Sequence, residues 1–292
     1  MLIGYCNSFL CCNFAFVLRG SLGSLDFFVH LIGMLSDSAT IKKYFHVDAK
    51  LLGLERLKSI KWMNKKALPK EQYQPAYIEH VANIITHAVW IFPSILGASE
   101  LYRRSHNEAQ TVSAFVYGMT LISLFSISTS FHSFFYCNEY RKMKNILHRC
   151  DRAMIYIFIA GSYFPWLTIE QLPLEGWSSH MRWIIWIMAF LGVMYQQLFH
   201  EKYKRLEIIF YLVMGVCPVL PIISEHYFLG MMELTLGGIL YVTGVVFFKC
   251  DGVIPFAHAI WHLFVATAAY FHYYAILNYL YPVMSIPPEL FP

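Results

Sequence analysis

Seven apolar stretches, each about twenty residues long, set the first condition that any fold of this chain must meet. They cover residues 79–101, 111–136, 151–170, 182–200, 206–224, 232–249 and 255–281, with short polar connections between them. At 1.5 Å of rise per residue, about 20 helical residues cross a ~30 Å hydrocarbon core. No water reaches backbone N–H and C=O groups in that layer, so such a segment has to bond internally, as an α-helix. Charged residues make up only 14% of the chain and apolar ones 58%, against about 25% charged in an ordinary soluble domain. The expected fold is all-α: a polytopic membrane protein with a seven-helix transmembrane domain over residues 76–285. Residues 1–75 read as an N-terminal extension with a cytosolic amphipathic segment, and 286–292 as a tail. The composition demands the lipid bilayer as a partner. With a net charge of +4 and no basic stripe interleaved with aromatics, nucleic acid is not expected as another.

The connections alternate in charge. Lys42 to Lys70 precede the first run. Arg141, Lys142, Lys144 and Arg149 lie between the second and third, and Lys202, Lys204 and Arg205 between the fourth and fifth. Glu170, Glu175, Glu225 and Glu289 fall on the other side. Basic loops stay cytosolic, which places the N-terminal side in the cytosol and the C-terminus on the far side, the inverse of a G-protein-coupled receptor. Arg103, Arg104 and Arg182 go against the pattern. Residues 1–18 are apolar without a basic flank before them and read either as an eighth, reversed anchor or as an extension outside the fold. Residues 42–75 mix lysines with Leu51, Leu54, Leu57, Ile60 and Trp62, a pattern that suits an anionic inner leaflet or an ordinary linker. None of the seven cysteines forms a CxxC pair. Cys137, Cys150 and Cys250 fall near cytosolic helix ends, where free thiols are expected.

Ionisable residues inside spanning runs are costly and mark function by default. Glu79, Asn83 and His87 recur at steps of four in the first run, Ser128 and His132 in the second, and His258 and His262 in the seventh; Asp151 opens the third. A step of four places residues on one helix face. By helical rise, His132, His258 and His262 lie within about 5–10 Å of the cytosolic ends of their helices. Neutral imidazoles from two helices at one depth, with a carboxylate near, suit tetrahedral zinc (Zn2+) with an open fourth position. Asp151 would hold a water there, and Ser128 would bond a ligand oxygen. Glu79 and Asn83 are candidates to orient the imidazoles, and His87 reads first as a packing residue. The histidine pair is not a zinc-protease motif, since Ala259 stands where the base glutamate would follow.

The Glu79-x3-Asn83-x2-Thr86-His87 run, the Ser128-x3-His132 pair, Asp151 and the His258-x3-His262 pair, in this order, resemble the progestin and adipoQ receptor family, also called the haemolysin III-related family. Residues 148–167 and 249–281 look like its branch named for monocyte to macrophage differentiation factor. The resemblance covers roughly residues 60–282. It implies seven helices, a cytosolic N-terminus, and an intramembrane zinc on His132, His258 and His262, with Asp151 beside the metal-bound water and Ser128 behind it. It further implies a receptor-like protein of internal membranes (Golgi, late endosome, lysosome) or the plasma membrane. Such a protein would respond to a lipid or sterol-like ligand and modulate cytosolic signalling proteins. The similar fold of alkaline ceramidases implies the alternative, a zinc-dependent lipid amide hydrolase. One departure stands out: His132 and Asp151 lie 19 residues apart, slightly more than adiponectin-receptor-type members imply. The family label also implies a pore-forming activity, but no repeated polar helix face would line a channel. Paired broken helices, the mark of a transporter, are absent from the pattern.

Overall fold

In a computed structural model, residues 61–68, 71–136, 141–169, 177–200, 202–219 and 230–282 are described. The possible reversed anchor at 1–18 and most of the amphipathic segment lie outside them. The described residues form helices and no strand. The helices are α1 (Tyr77–Arg103), α2 (Glu108–Tyr136), α3 (Arg141–Ile169), α4 (Met181–Leu198), α5 (Lys204–Val216), α6 (Met231–Phe248) and α7 (Ala257–Ala275). A 3₁₀ turn (Trp177–His180) leads into α4, and a π-helical turn (Ile276–Leu280) extends α7. Four of these, α1, α2, α6 and α7 with its π-turn, are long and apolar enough to cross a membrane. The other three are less apolar or shorter for visible reasons. α3 starts ten residues before its apolar run, because a helix can continue through Arg141–Cys150 where hydrocarbon cannot. Trp183, Tyr195, Gln196 and Gln197 dilute α4, and α5 has 13 described residues.

Side-chain contacts give each helix its direction. The start of α1 meets the start of α7, where Glu79 accepts from the Phe256 N–H at 3.2 Å, and its later part meets α7 where Tyr273 donates to the Gly97 carbonyl at 3.1 Å. α1 and α7 are therefore parallel. α2 runs against both: Gln110 near its start donates to the Leu280 carbonyl at 2.8 Å and accepts from Tyr281 at 2.7 Å. The ends of α4 and starts of α3 and α5 meet through Arg149–Gln197 (2.7 Å) and Arg152–Glu207 (3.2 Å). α6 begins beside the end of α3, where Trp166 abuts Gly230, and ends at Phe248 beside His258. The result is an up-and-down bundle in chain order. One pole carries the starts of odd-numbered helices, and the other carries their ends.

Residues 62–68 and 71–76 are not helical. They lie as a strap across the first pole. Trp62 meets Phe256 edge-on at 6.1 Å, Asn64 and Tyr73 bond each other, and Asn64 also donates to the Gln74 carbonyl at 2.8 Å. The strap passes so close to the α6–α7 connection that a Cβ at Gly252 would stand 2.5 Å from the Cα of Lys66; the φ of +74° there also favours glycine. Among the described residues Cys150, Cys217 and Cys250 are free thiols.

Without a hydrophobic drive between helices in lipid, close packing of small residues holds a membrane bundle together. At Gly161 of α3 an added Cβ would fall 2.3–2.9 Å from three side-chain atoms of Thr120 on α2, whereas at Gly215 of α5 it would meet nothing within 4 Å. Gly161→Ala should therefore lower stability by about 1–3 kcal/mol through overpacking. Thermal unfolding in detergent should show its midpoint several degrees below that of Gly215→Ala; equal midpoints would contradict this α2–α3 contact.

Candidate metal centre

Two helices bring three imidazoles to one point inside the first pole. α2 presents His132 from its last turns, and α7 presents His258 and His262 from its first two, one turn apart on the same face. Ring centroids lie 5.1 Å apart for His132 with either partner and 4.7 Å for His258 with His262. One nitrogen from each lies within 4.8 Å of the other two, so the three together could hold a metal ion. Donors around tetrahedral zinc sit about 3.4 Å apart at Zn–N distances near 2.1 Å, a contraction within reach of side-chain rotation. His132 and His262 are buried at 3% and 2% exposure.

The remaining nitrogens decide whether this is a ligand set or a packing cluster. His262 Nδ1 lies 3.2 Å from the Asn83 carbonyl and 3.0 Å from the Thr86 hydroxyl. That hydroxyl donates to the Ala82 carbonyl at 2.8 Å, so it accepts from the ring, and both contacts put the proton on Nδ1. Nε2 is left with its lone pair free toward the cluster. His258 Nδ1 faces the Asp251 carboxylate at 3.5 Å, a charge contact that favours the same tautomer. His132 Nε2 is buried with no hydrogen-bond partner among the described residues. A backbone carbonyl and a carboxylate behind the imidazoles, with a lone pair or orphaned nitrogen in front, is the pattern of metal-ligating histidines.

The other expected residues divide into two groups. Ser128, 2% exposed and one turn before His132, and Asp151 of α3 both line the cavity beside the imidazoles. His87 does not join the ligand set: its ring stacks on His262 at 3.6 Å and meets Phe125 edge-on, with both nitrogens unpartnered among the described residues. Asn83 serves through its backbone carbonyl, while its side-chain amide lies unpartnered against the cavity. Glu79 hydrogen-bonds no imidazole among the described residues. Its carboxylate accepts from the Tyr73 hydroxyl and the Ala76 N–H, both at 2.8 Å, and from the Phe256 N–H at 3.2 Å. Burial and that bond to Glu79 hold the Tyr73 hydroxyl above its usual pKa, so it remains a donor. Phe256 has a left-handed φ of 59°, a strained choice for an aromatic residue, two positions before His258.

Asp251 and Thr86 stand at the site without a sequence signal that assigns them there. Asp251 lies in the non-helical connection before α7, where no periodicity places a side chain. Thr86 sits three residues after Asn83, so helical spacing puts it near that face without saying what it bonds. The Arg152–Glu207 pair is nearly buried at 12% and 7% exposure, closed by Tyr211 donating to Glu207 at 2.9 Å, and braces α3 against α5 beside Asp151.

From the imidazoles a cavity of about 1330 Å³ runs between α3, α5, α6 and α7, larger than the ~300–1,000 Å³ of ordinary small-molecule pockets. Its walls are mostly apolar, among them Ile155, Phe158, Leu212, Val245 and Val265, and the strap closes part of its near end with Leu68 and Tyr73. Such a cavity has room for a hydrocarbon chain with its polar end at the imidazoles.

Residues 76–273 match the family model described as Haemolysin-III related. The chain is 50% identical over 223 residues to human "Monocyte to macrophage differentiation factor", covering 76% of this chain and 92% of that protein. The mouse protein of that name matches at the same identity and coverage. "Hemolysin-3" of Bacillus cereus is 32% identical over 213 residues, 71% of this chain and 94% of the bacterial one. Matched along most of its described bundle and across bacterial and mammalian relatives, this chain belongs to the haemolysin III-related family.

Proposed function

We propose that this chain is a receptor-like integral membrane protein whose seven helices span the bilayer, with zinc on His132, His258 and His262 near the cytosolic face. A lipid in its cavity would then modulate cytosolic signalling proteins. The observation that carries this reading is the set of three converging imidazoles, one clamped from behind by Asn83 and Thr86 and one facing Asp251, at the head of an apolar cavity. The orientation rests on charge. Lys142, Lys144, Arg149, Lys202, Arg205 and Lys249 all belong to connections or helix ends at the pole that holds the imidazoles, as does Lys66 of the strap. The positive-inside rule assigns that pole to the cytosol. Of the exceptions at the opposite pole, Arg103 and Arg104 both bond Glu100 at 2.7 Å.

Access from the bilayer is supported by α5 and α6, which both line the cavity yet are not closely packed together along their described residues. Ile239 and Val242 of α6 line it while remaining 57% and 53% exposed. When bound, zinc would supply a Lewis acid to a ligand oxygen. Asn83 offers an amide with no hydrogen-bond partner among the described residues beside that position, and Ser128 and Asp151 both stand at the cavity wall. The Ser128–Asp151 pair also favours the second reading, a lipid amide hydrolase. In that case Asp151 would exchange a proton with the reacting groups and Ser128 would fix its position.

Metal content decides first. Protein purified gently in detergent should carry about one zinc per chain, and His258→Ala/His262→Ala almost none while its helical circular dichroism is kept. A wild-type protein free of metal would reduce the three histidines to packing residues. Removal of the hydroxyl behind His262, as Thr86→Val, should weaken zinc retention about 10–100-fold against a chelator series without unfolding the bundle. Asp151→Asn should retain the metal. If the chain hydrolyses lipid amides, this change should abolish release of fatty acid from a ceramide substrate, and full signalling output from the variant would discard the hydrolase.

A further inference from the structure

Two polar groups at the far end of the cavity have no use in the metal centre. His272 of α7 is 6% exposed, and its Nε2 has no hydrogen-bond partner among the described residues. Tyr241 of α6 holds its ring 5.6 Å from that imidazole, and its hydroxyl is likewise buried without a described partner. Both side chains line the cavity. Space for this pair is built into α6. Gly237, one turn before Tyr241 on the same face, would with an added Cβ stand 2.4 Å from Cδ2 and 2.7 Å from Nε2 of His272. Only glycine seats the imidazole there. Unpaired buried polar atoms are destabilising, and phenylalanine at either position would fill similar space without that penalty. Two such atoms beside one cavity point to a ligand group that satisfies both.

Helix geometry fixes how far this group lies from the metal centre. His272 follows His262 by ten residues and His258 by fourteen on one continuous helix, which gives about 15 Å and 21 Å along the axis. An extended hydrocarbon advances about 1.25 Å per C–C bond, given bonds near 1.5 Å at tetrahedral angles. The gap therefore matches about 12–17 bonds, and the wall between is apolar, with Ile155, Phe158 and Val265 along it. A hydroxyl suits the far end. It can donate to the imidazole Nε2 and accept from the Tyr241 O–H, whereas an ionised group would be too costly there.

We propose that the cavity is built for a long-chain lipid with a hydroxyl at the end of its chain. Its head group lies at the histidine triad and its terminal hydroxyl between His272 and Tyr241. This rests on the reading of the cavity as a lipid site, and deepens it. The test compares 16-hydroxyhexadecanoic acid with hexadecanoic acid on the purified, metal-loaded full chain by isothermal titration. The hydroxy acid should bind about 10-fold tighter. Tyr241→Phe and, separately, His272→Phe should bring that ratio near one while leaving hexadecanoate affinity and metal content unchanged. Tyr241→Phe removes a single oxygen, so it keeps the test sound if the histidine variant misfolds. Equal affinity for both acids in the wild type would overturn this inference and leave the lipid site standing. A preference that survives both substitutions would overturn the assignment to these residues. Binding of neither acid would overturn the lipid reading itself.

Discussion

One buried carboxylate holds the first pole together. Glu79 is 3% exposed, and its two oxygens accept from the strap at Tyr73, from the start of α1 at Ala76 and from the start of α7 at Phe256. Each donor would otherwise be a polar group with few alternatives near an apolar interior, where leaving it unmade costs about 1–3 kcal/mol. The bond to Phe256 has a second consequence. It supports a residue in left-handed geometry, and that bend sets the direction in which α7 starts. His258 and His262 follow within two turns, so the register of the candidate metal centre depends on a carboxylate whose hydrogen bonds, among the described residues, go to Tyr73, Ala76 and Phe256. The stack of His87 on His262 and the clamp from Asn83 and Thr86 then fix one ring in rotation.

The same economy of polar groups runs through the rest of the bundle. Several hydroxyls close on the backbone of their own helix: Ser94, Ser99, Ser133 and Thr267 each return theirs to a carbonyl one turn earlier. Arg152 and Glu207 are kept as a pair with Tyr211 closing the carboxylate, because a lone charge of either sign at that burial would be strongly destabilising. Among the described residues, several buried polar atoms without a hydrogen-bond partner belong to side chains that line the cavity. The amide of Asn83 and the Nε2 of His132 lie at one end of the cavity, and His272 and Tyr241 at the other.

How much of this was legible in the sequence follows from which interactions are periodic. The four-residue steps of Ser128–His132 and His258–His262 survive folding because helical spacing alone puts them on one face. Their common depth follows from counting 1.5 Å per residue from the helix ends. Asp151 was readable for the same reason, as the first residue of an apolar run. What was not legible depends on turns and on contacts between distant segments. Asp251 reaches His258 only because of the path taken by the α6–α7 connection. Glu79 shares the face of Asn83 and His87, which made it look like a partner of the imidazoles. The non-helical strap instead brings Tyr73 within 2.8 Å of it, and periodicity contains no information about the strap. The start of α3 at Arg141 was missed because hydropathy measures what tolerates lipid, not what is helical.

These contacts also give a receptor role a physical route. Leu68 and Tyr73 of the strap line the same cavity as the imidazoles, so an occupant of its near end can reach both. Tyr73 passes that contact to Glu79, and Glu79 to the first residues of α1 and α7. A ligand that displaces Tyr73 would release one of three donors from a buried carboxylate and alter the packing of Trp62 on Phe256 at the surface of this pole. Because a ligand can shift an equilibrium only by its differential affinity for the two states, the strap has to differ in its contacts with empty and filled cavities for a signal to pass. Its position as both wall of the cavity and outer face of the pole puts it where such a difference would be read.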